Sequence, residues 1–145
     1  MLRTTAVAAL GVAALAGSGF SVASAQSLLT AQEPSHNIAC MATAPMPGQP
    51  TYEVRCDIRQ TSSPLPAPPR NCPLSWGDAF VLDPTGPGRL LCHGDTVADP
   101  NAPVIAYGTQ WQPYGFICTS QTTGLTCVNR GGHGFSIARA SQKVF

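Results

Sequence analysis

The chain has 145 residues, eight Lys and Arg against seven Asp and Glu, and a formal net charge of +1. Charged residues make up only 10% of it, Lys143 is the single lysine, and no run of like charge occurs. Binding to a polyanion needs clustered Lys and Arg to displace counterions, so the composition excludes nucleic acid and an anionic membrane surface as partners.

Met1-Leu2-Arg3 opens a leader whose stretch from Ala6 to Val22 is mostly Ala, Val, Leu and Gly, and Ala23-Ser24-Ala25 supplies the small residues a signal peptidase accepts. Gly17-Ser18-Gly19 interrupts the apolar stretch, which therefore reads poorly as a permanent membrane span. The sequence predicts a signal peptide over residues 1–25 and a flexible mature N-terminus over 26–34. A single domain then follows over 35–145, with export to the periplasm, the cell envelope or the medium. Removing the leader leaves 120 residues, one ordinary domain, and takes Arg3 with it, so the formal charge falls to zero.

Cys40, Cys56, Cys72, Cys92, Cys118 and Cys127 are an even number of cysteines in a chain expected to meet an oxidising compartment. Six cysteines allow fifteen connectivities. Local pattern favours nearest neighbours. Asn37-Ile38-Ala39-Cys40 and Val54-Arg55-Cys56 flank a loop containing Pro45, Pro47, Gly48 and Pro50, as the two arms of a hairpin would. Over Tyr52–Arg59 the residues alternate, which predicts a half-buried strand with Tyr52, Val54, Cys56 and Ile58 inward. Glu53, Arg55, Asp57 and Arg59 then fall on a solvated outer face. Near the end, Phe116-Ile117-Cys118 and Leu125-Thr126-Cys127 repeat the arrangement around a polar loop. The expected bridges are Cys40–Cys56, Cys118–Cys127 and, as the remaining pair, Cys72–Cys92. Each should contribute about 3 kcal/mol in the chain-entropy picture. No C-x-x-C pair is present, so a metal cluster or a reactive thiol is disfavoured.

Between these hairpins the chain is turns and short extended runs. Pro64, Pro66, Pro68 and Pro69 exclude a helix over Ser62–Asn71 and predict a rigid surface connection tied down at Cys72. Ser75–Leu82 has room for one or two helical turns. Asp83-Pro84-Thr85-Gly86-Pro87-Gly88 and Asp99-Pro100-Asn101-Ala102-Pro103 are turn clusters that precede short strands. Such punctuation predicts an all-β fold, a small antiparallel sandwich or barrel stapled by three disulfides.

Several motifs occur in a fixed order: Ser35-His36-Asn37-Ile38-Ala39-Cys40, Val54-Arg55-Cys56-Asp57-Ile58, Cys72 with Trp76-Gly77, and Cys92-His93-Gly94-Asp95-Thr96. Ala106-Tyr107-Gly108 with Trp111, Gly124-Leu125-Thr126-Cys127 with Asn129, and Gly132-His133-Gly134-Phe135 complete the set. Together they resemble a family of small secreted bacterial proteins known only as a domain of unknown function. The resemblance covers residues 35–145 and implies an exported domain with structural bridges. It transfers no catalytic residue. Ala138-Arg139-Ala140-Ser141 departs slightly from the family's Ser-Arg pairing.

The residues raise three further chemistries. Gly134-Phe135-Ser136-Ile137-Ala138 approximates a nucleophile elbow, but that device needs a strand turning into a helix, and here a strand follows the glycines. His93 and Asp95, two apart on a strand, with His133 from elsewhere, are a conceivable metal set. A turn in which Asp95 bonds backbone N–H groups fits the local chemistry better, so neither a metal nor a cofactor is expected. Tyr107, Trp111 and Tyr114, on chain broken by Gly108, Pro113 and Gly115, form a candidate binding surface with His133. The alternative for Trp111 is a place in the core. The expected function is non-catalytic binding of a protein or glycan at the cell envelope. An envelope-associated structural protein is the alternative, and a small secreted hydrolase is the weaker one.

Overall fold

A computed structural model describes residues 28–145 of the chain. The expected signal peptide and the expected mature start at Gln26 lie outside the described residues. Ten strands form two antiparallel sheets. The first is a meander of β1 (Leu28–Gln32), β2 (Ile38–Thr43), β3 (Glu53–Ile58), β4 (Ala79–Leu82) and β5 (Arg89–Leu90). The second is a meander of β6 (Gln110–Trp111), β7 (Ile117–Gln121), β8 (Gly124–Val128), β9 (Gly134–Ile137) and β10 (Gln142–Val144). A short 3-10 turn, Pro113–Gly115, separates β6 from β7. The two sheets face each other across one core, so the fold is a sandwich and not a barrel.

Alternation along the strands decides which residues meet between the sheets. Ile38, Cys40 and Ala42 on β2, Val54, Cys56 and Ile58 on β3, and Phe80 and Leu82 on β4 point inward from one side. Cys118 on β7, Leu125 and Cys127 on β8, and Phe135 and Ile137 on β9 meet them from the other. Phe80 and Phe135 bridge the sheets with ring centroids 5.9 Å apart.

The bridges are Cys40–Cys56, Cys72–Cys92 and Cys118–Cys127, the nearest-neighbour pattern expected from the hairpin arms. Cys40 stands directly opposite Cys56 in the β2–β3 ladder, and Cys118 opposite Cys127 in the β7–β8 ladder. The third bridge joins the loops before β4 and after β5, where Ser75 and His93 also pair through their backbones. The proline-rich connection is pinned as predicted, by Cys72 at one end and by Ser62 and Ser63 bonding to Arg139 and Ala140.

Four local expectations differ from the structure. Residues 28–32 are not a loose N-terminus: Leu28–Gln32 pairs with Thr43–Ala39 as an edge strand that buries Ala31 and Gln32, so the domain begins by Leu28. Ala79–Leu82 is a strand without helical turns, because it is buried on both faces and so reads as a continuous apolar run. Tyr52 does not share the inward face of Val54; it is exposed and stacks on Tyr114 at 5.1 Å.

The largest difference concerns the outer face of β3. Arg55 and Asp57 are both 6% exposed, since the segment after Cys92 folds over them. Arg55 Nε donates to Asp57 Oδ1 (2.8 Å) and Nη2 donates to Oδ2 (3.1 Å), a two-point contact between residues two apart on one strand face. Nη1 reaches Asp95 Oδ1 at 2.9 Å, and Asp57 Oδ2 accepts the Val97 amide at 3.0 Å. Asp95 therefore serves Arg55 as well as its own backbone amide, and Arg55 above all holds its carboxyl below the ordinary range. His93 completes the cluster: its Nε2–H donates to Asp78 Oδ1 at 2.9 Å, and Nδ1 lies 2.6 Å from the Asp95 carbonyl oxygen. Burial lowers the affinity of His93 for a proton, but these acceptors outweigh it and raise the pKa.

A solvated outer face would tolerate Arg55→Ala within about 0.5 kcal/mol. The buried cluster predicts a loss of about 3–5 kcal/mol, because Asp57 is left as an uncompensated buried charge. Chemical denaturation with the disulfides intact separates the two.

Candidate functional site

A concavity of about 590 Å³ lies at the end of the sandwich where β1 turns into β2, β7 into β8 and β9 into β10. Its wall is built from four stretches far apart in sequence: residues 33–38, Arg59-Gln60, residues 122–124 and residues 138–140, with Tyr107 at its side.

The β1–β2 turn is set by hydrogen bonds within it. The His36 amide donates to the Glu33 carbonyl at 2.9 Å, and His36 takes φ 55° to close the turn. Gln32 Nε2 donates to the Ala102 carbonyl at 2.8 Å, which directs Oε1 toward His36 Nδ1, also 2.8 Å away. Nδ1 therefore carries the proton, and Nε2 is the acceptor in the neutral ring. Asn37 then fixes the opposite wall: its Oδ1 accepts the Gln60 amide and its backbone carbonyl accepts the Arg59 amide, both at 2.9 Å. The backbone carbonyl of Arg139 accepts Ser62 N at 2.7 Å and Ser62 Oγ at 3.1 Å, tying the β9–β10 turn to the chain leaving β3. The mouth is therefore held by backbone contacts from both sheets.

Glu33 is the unusual group. It lines the cleft yet is only 4% exposed, and its Oε1 is buried without a hydrogen-bond partner. Ser120, on the inner face of β7, is its polar neighbour, and its Oγ likewise makes no hydrogen bond of good geometry. Burial pushes the Glu33 carboxyl up to about 7, an effect the neighbouring Ser120 hydroxyl opposes only in part.

The four aromatic and histidine residues singled out from the sequence do not form one surface. Tyr107, 41% exposed, stands at the cleft. Tyr114 lies at the other end of the strands, where with Tyr52, Phe116, Asn129 and Arg130 it lines a smaller hollow of about 210 Å³. Trp111 is half-buried beside the core, paired with Cys118 across the β6–β7 ladder. His133 is exposed in the β8–β9 turn, whose amides at Gly131 and His133 donate to Asn129 Oδ1. Gly134 beside it is a packing requirement: a Cβ there would stand 1.9 Å from the Cys127 carbonyl oxygen. Ser136 sits on β9, where its Oγ accepts from Thr126 Oγ1 at 3.0 Å, and β10 follows rather than a helix. His93 and Asp95 are held by Asp78 and Arg55. Among the described residues no group of three or more His, Cys, Asp or Glu is arranged to hold a metal.

Glu33, His36, Arg59 and Arg139 were not anticipated as site residues. Only Ser35-His36-Asn37 carried a local signal, because the other positions meet through folding.

The raised carboxyl pKa has a consequence for stability. Between its ordinary value and about 7 the folded state holds the Glu33 proton more tightly than the unfolded chain does. Stability is therefore lost as pH rises through that window. Glu33→Gln should stabilise the domain at pH 8, by at most about 3 kcal/mol, and change it little at pH 4. Denaturant unfolding of both proteins at the two pH values checks this, and comparison with the parent cancels the contribution of His93.

No curated protein and no solved structure matches the chain. Among the described residues no helix is long and apolar enough to cross a membrane. The model of DUF6636, a family of unknown function, matches residues 7–145, and the chain belongs to that family.

Proposed function

We propose that this protein is an exported, non-catalytic binding module that takes a glycan or a segment of protein into the cleft at the 33–38 end of the sandwich. The observation that carries the reading is the composition of that wall. An exposed aromatic ring, Tyr107, stands beside the Gln60 amide and the hydroxyl-bearing Thr122 and Thr123. An aromatic face with hydrogen-bonding side chains around it suits ligands that carry both apolar faces and hydroxyl or amide groups. Export is supported by the three disulfides, which persist in oxidising compartments.

A hydrolytic role fits the wall less well. Glycoside hydrolysis ordinarily takes two carboxyl groups across the scissile bond, and Glu33 is the one acid lining this cleft. Ser35 Oγ accepts the Asn37 amide at 3.2 Å and His36 Nδ1 is engaged with Gln32, so these neighbours make no nucleophile–base pair.

Tyr107→Ala tests the reading. On arrays of envelope glycans and peptides, the parent domain should retain ligands that the variant binds on the order of tenfold more weakly, about 1.4 kcal/mol, with its melting temperature unchanged. An absence of any retained ligand, or a variant that binds as well as the parent, overturns it and leaves the structural role.

A further inference from the structure

The chain holds seven carboxylate side chains, and the fold commits each of them. Asp57 and Asp95 lie on Arg55; Glu53 and Asp83 lie on Arg89. Asp78 is bonded to His93, and Asp99 accepts the Asn101 amide. Glu33 is enclosed beneath the cleft. No acid is left for Arg59 or Arg139, and residues 1–27 contain none.

Both of these arginines line the cleft, one from each sheet: Arg59 follows β3, and Arg139 lies in the turn between β9 and β10. Their backbones are fixed by the Asn37 and Ser62 hydrogen bonds described above, so a ligand meets guanidinium groups whose attachment points are already in place. Among the described residues the other cations outside ion pairs do not line this cleft. Arg70 ends the proline-rich connection, Arg130 lines the hollow at the opposite end, and Lys143 lies over the Phe145 ring. The single acid in the wall has its Oε1 withdrawn from solvent.

We propose that the cleft takes an acidic glycan, with sugar carboxylates held by Arg59 and Arg139 and a sugar ring against Tyr107. This rests on the binding reading above and names its ligand class. A guanidinium offers a planar fork that matches a carboxylate at two points, and two of them lining one cleft suit a chain that repeats carboxylates along its length. The hydroxyls of Thr122 and Thr123 and the amide of Gln60 suit a hydroxyl-rich backbone better than apolar peptide side chains.

The test uses the oxidised mature protein and uronic-acid oligosaccharides, derived from polygalacturonate and hyaluronan, each beside its carboxyl-reduced neutral form. Calorimetric titration at low and moderate salt is repeated with Arg59→Gln, Arg139→Gln, the double variant and Arg130→Gln. The expected result is acidic oligomers bound at least about tenfold more tightly than neutral ones, with affinity falling as salt rises. Each single cleft variant should lose about tenfold and the double variant about a hundredfold. Arg130→Gln should bind as the parent does, and all variants should keep its melting temperature. Equal binding of neutral and acidic forms, or full binding by the double variant, overturns the acidic assignment while the binding module stands. Tighter capture of an acidic peptide than of any acidic oligomer overturns it in favour of a protein ligand. If no saccharide or peptide binds at all, both readings fall together.

Discussion

Cys56 Sγ and Cys127 Sγ approach to 3.9 Å in the middle of the core, so the two cross-strand disulfides rest against one another at the meeting point of the sheets. Each bridge joins residues directly opposite in its ladder and thereby fixes the register of β2 on β3 and of β7 on β8. A one-residue slip would turn every inward side chain outward, so fixing two ladders fixes the interior. Half-cystines are small and polarisable, which lets the sheets close at this point while Phe80, Phe116 and Phe135 fill the space around it.

The two five-stranded meanders, each with a disulfide between adjacent strands, are near copies in plan. They differ in how their outer faces are used. The first sheet is overlaid by the segment after Cys92, which the Cys72–Cys92 bridge anchors and the Arg55 cluster draws down. Burying Arg55 and Asp57 carries a desolvation cost, and the two-point contact with further bonds from Asp95 and Val97 offsets it. Among the described residues the second sheet has no such cover; Thr126 and Ser136 pair across its outer face, both half-buried.

One end of the sandwich is less well satisfied than the rest. Ser120 occupies an inward position on β7 where a hydrocarbon side chain would pack, and Glu33 enters beside it from the end of β1. Two buried oxygens without good partners are a local cost to stability. Of the two, Glu33 lines the cleft at this end of the sandwich. The turns around that cleft are braced by backbone hydrogen bonds from both sheets, so its shape is part of the folded state.

The sequence alone determined the all-β class and the hairpin arms, because period-two alternation and turn residues are local; those arms favoured two of the bridges and left Cys72–Cys92 as the remaining pair. Period-two reading could not see what would cover an outer face, so Arg55 and Asp57 looked solvated until the loop after Cys92 was placed over them. Nor could it bring Glu33, Arg59 and Arg139 together, since they lie up to 106 positions apart and meet only because both meanders turn at the same end. The division of Tyr107 from Tyr114 has the same cause. Seven positions separate them in the chain, but the extended segment through β6 carries them to opposite ends of the sandwich, and only the pairing of the sheets decides which end each residue reaches.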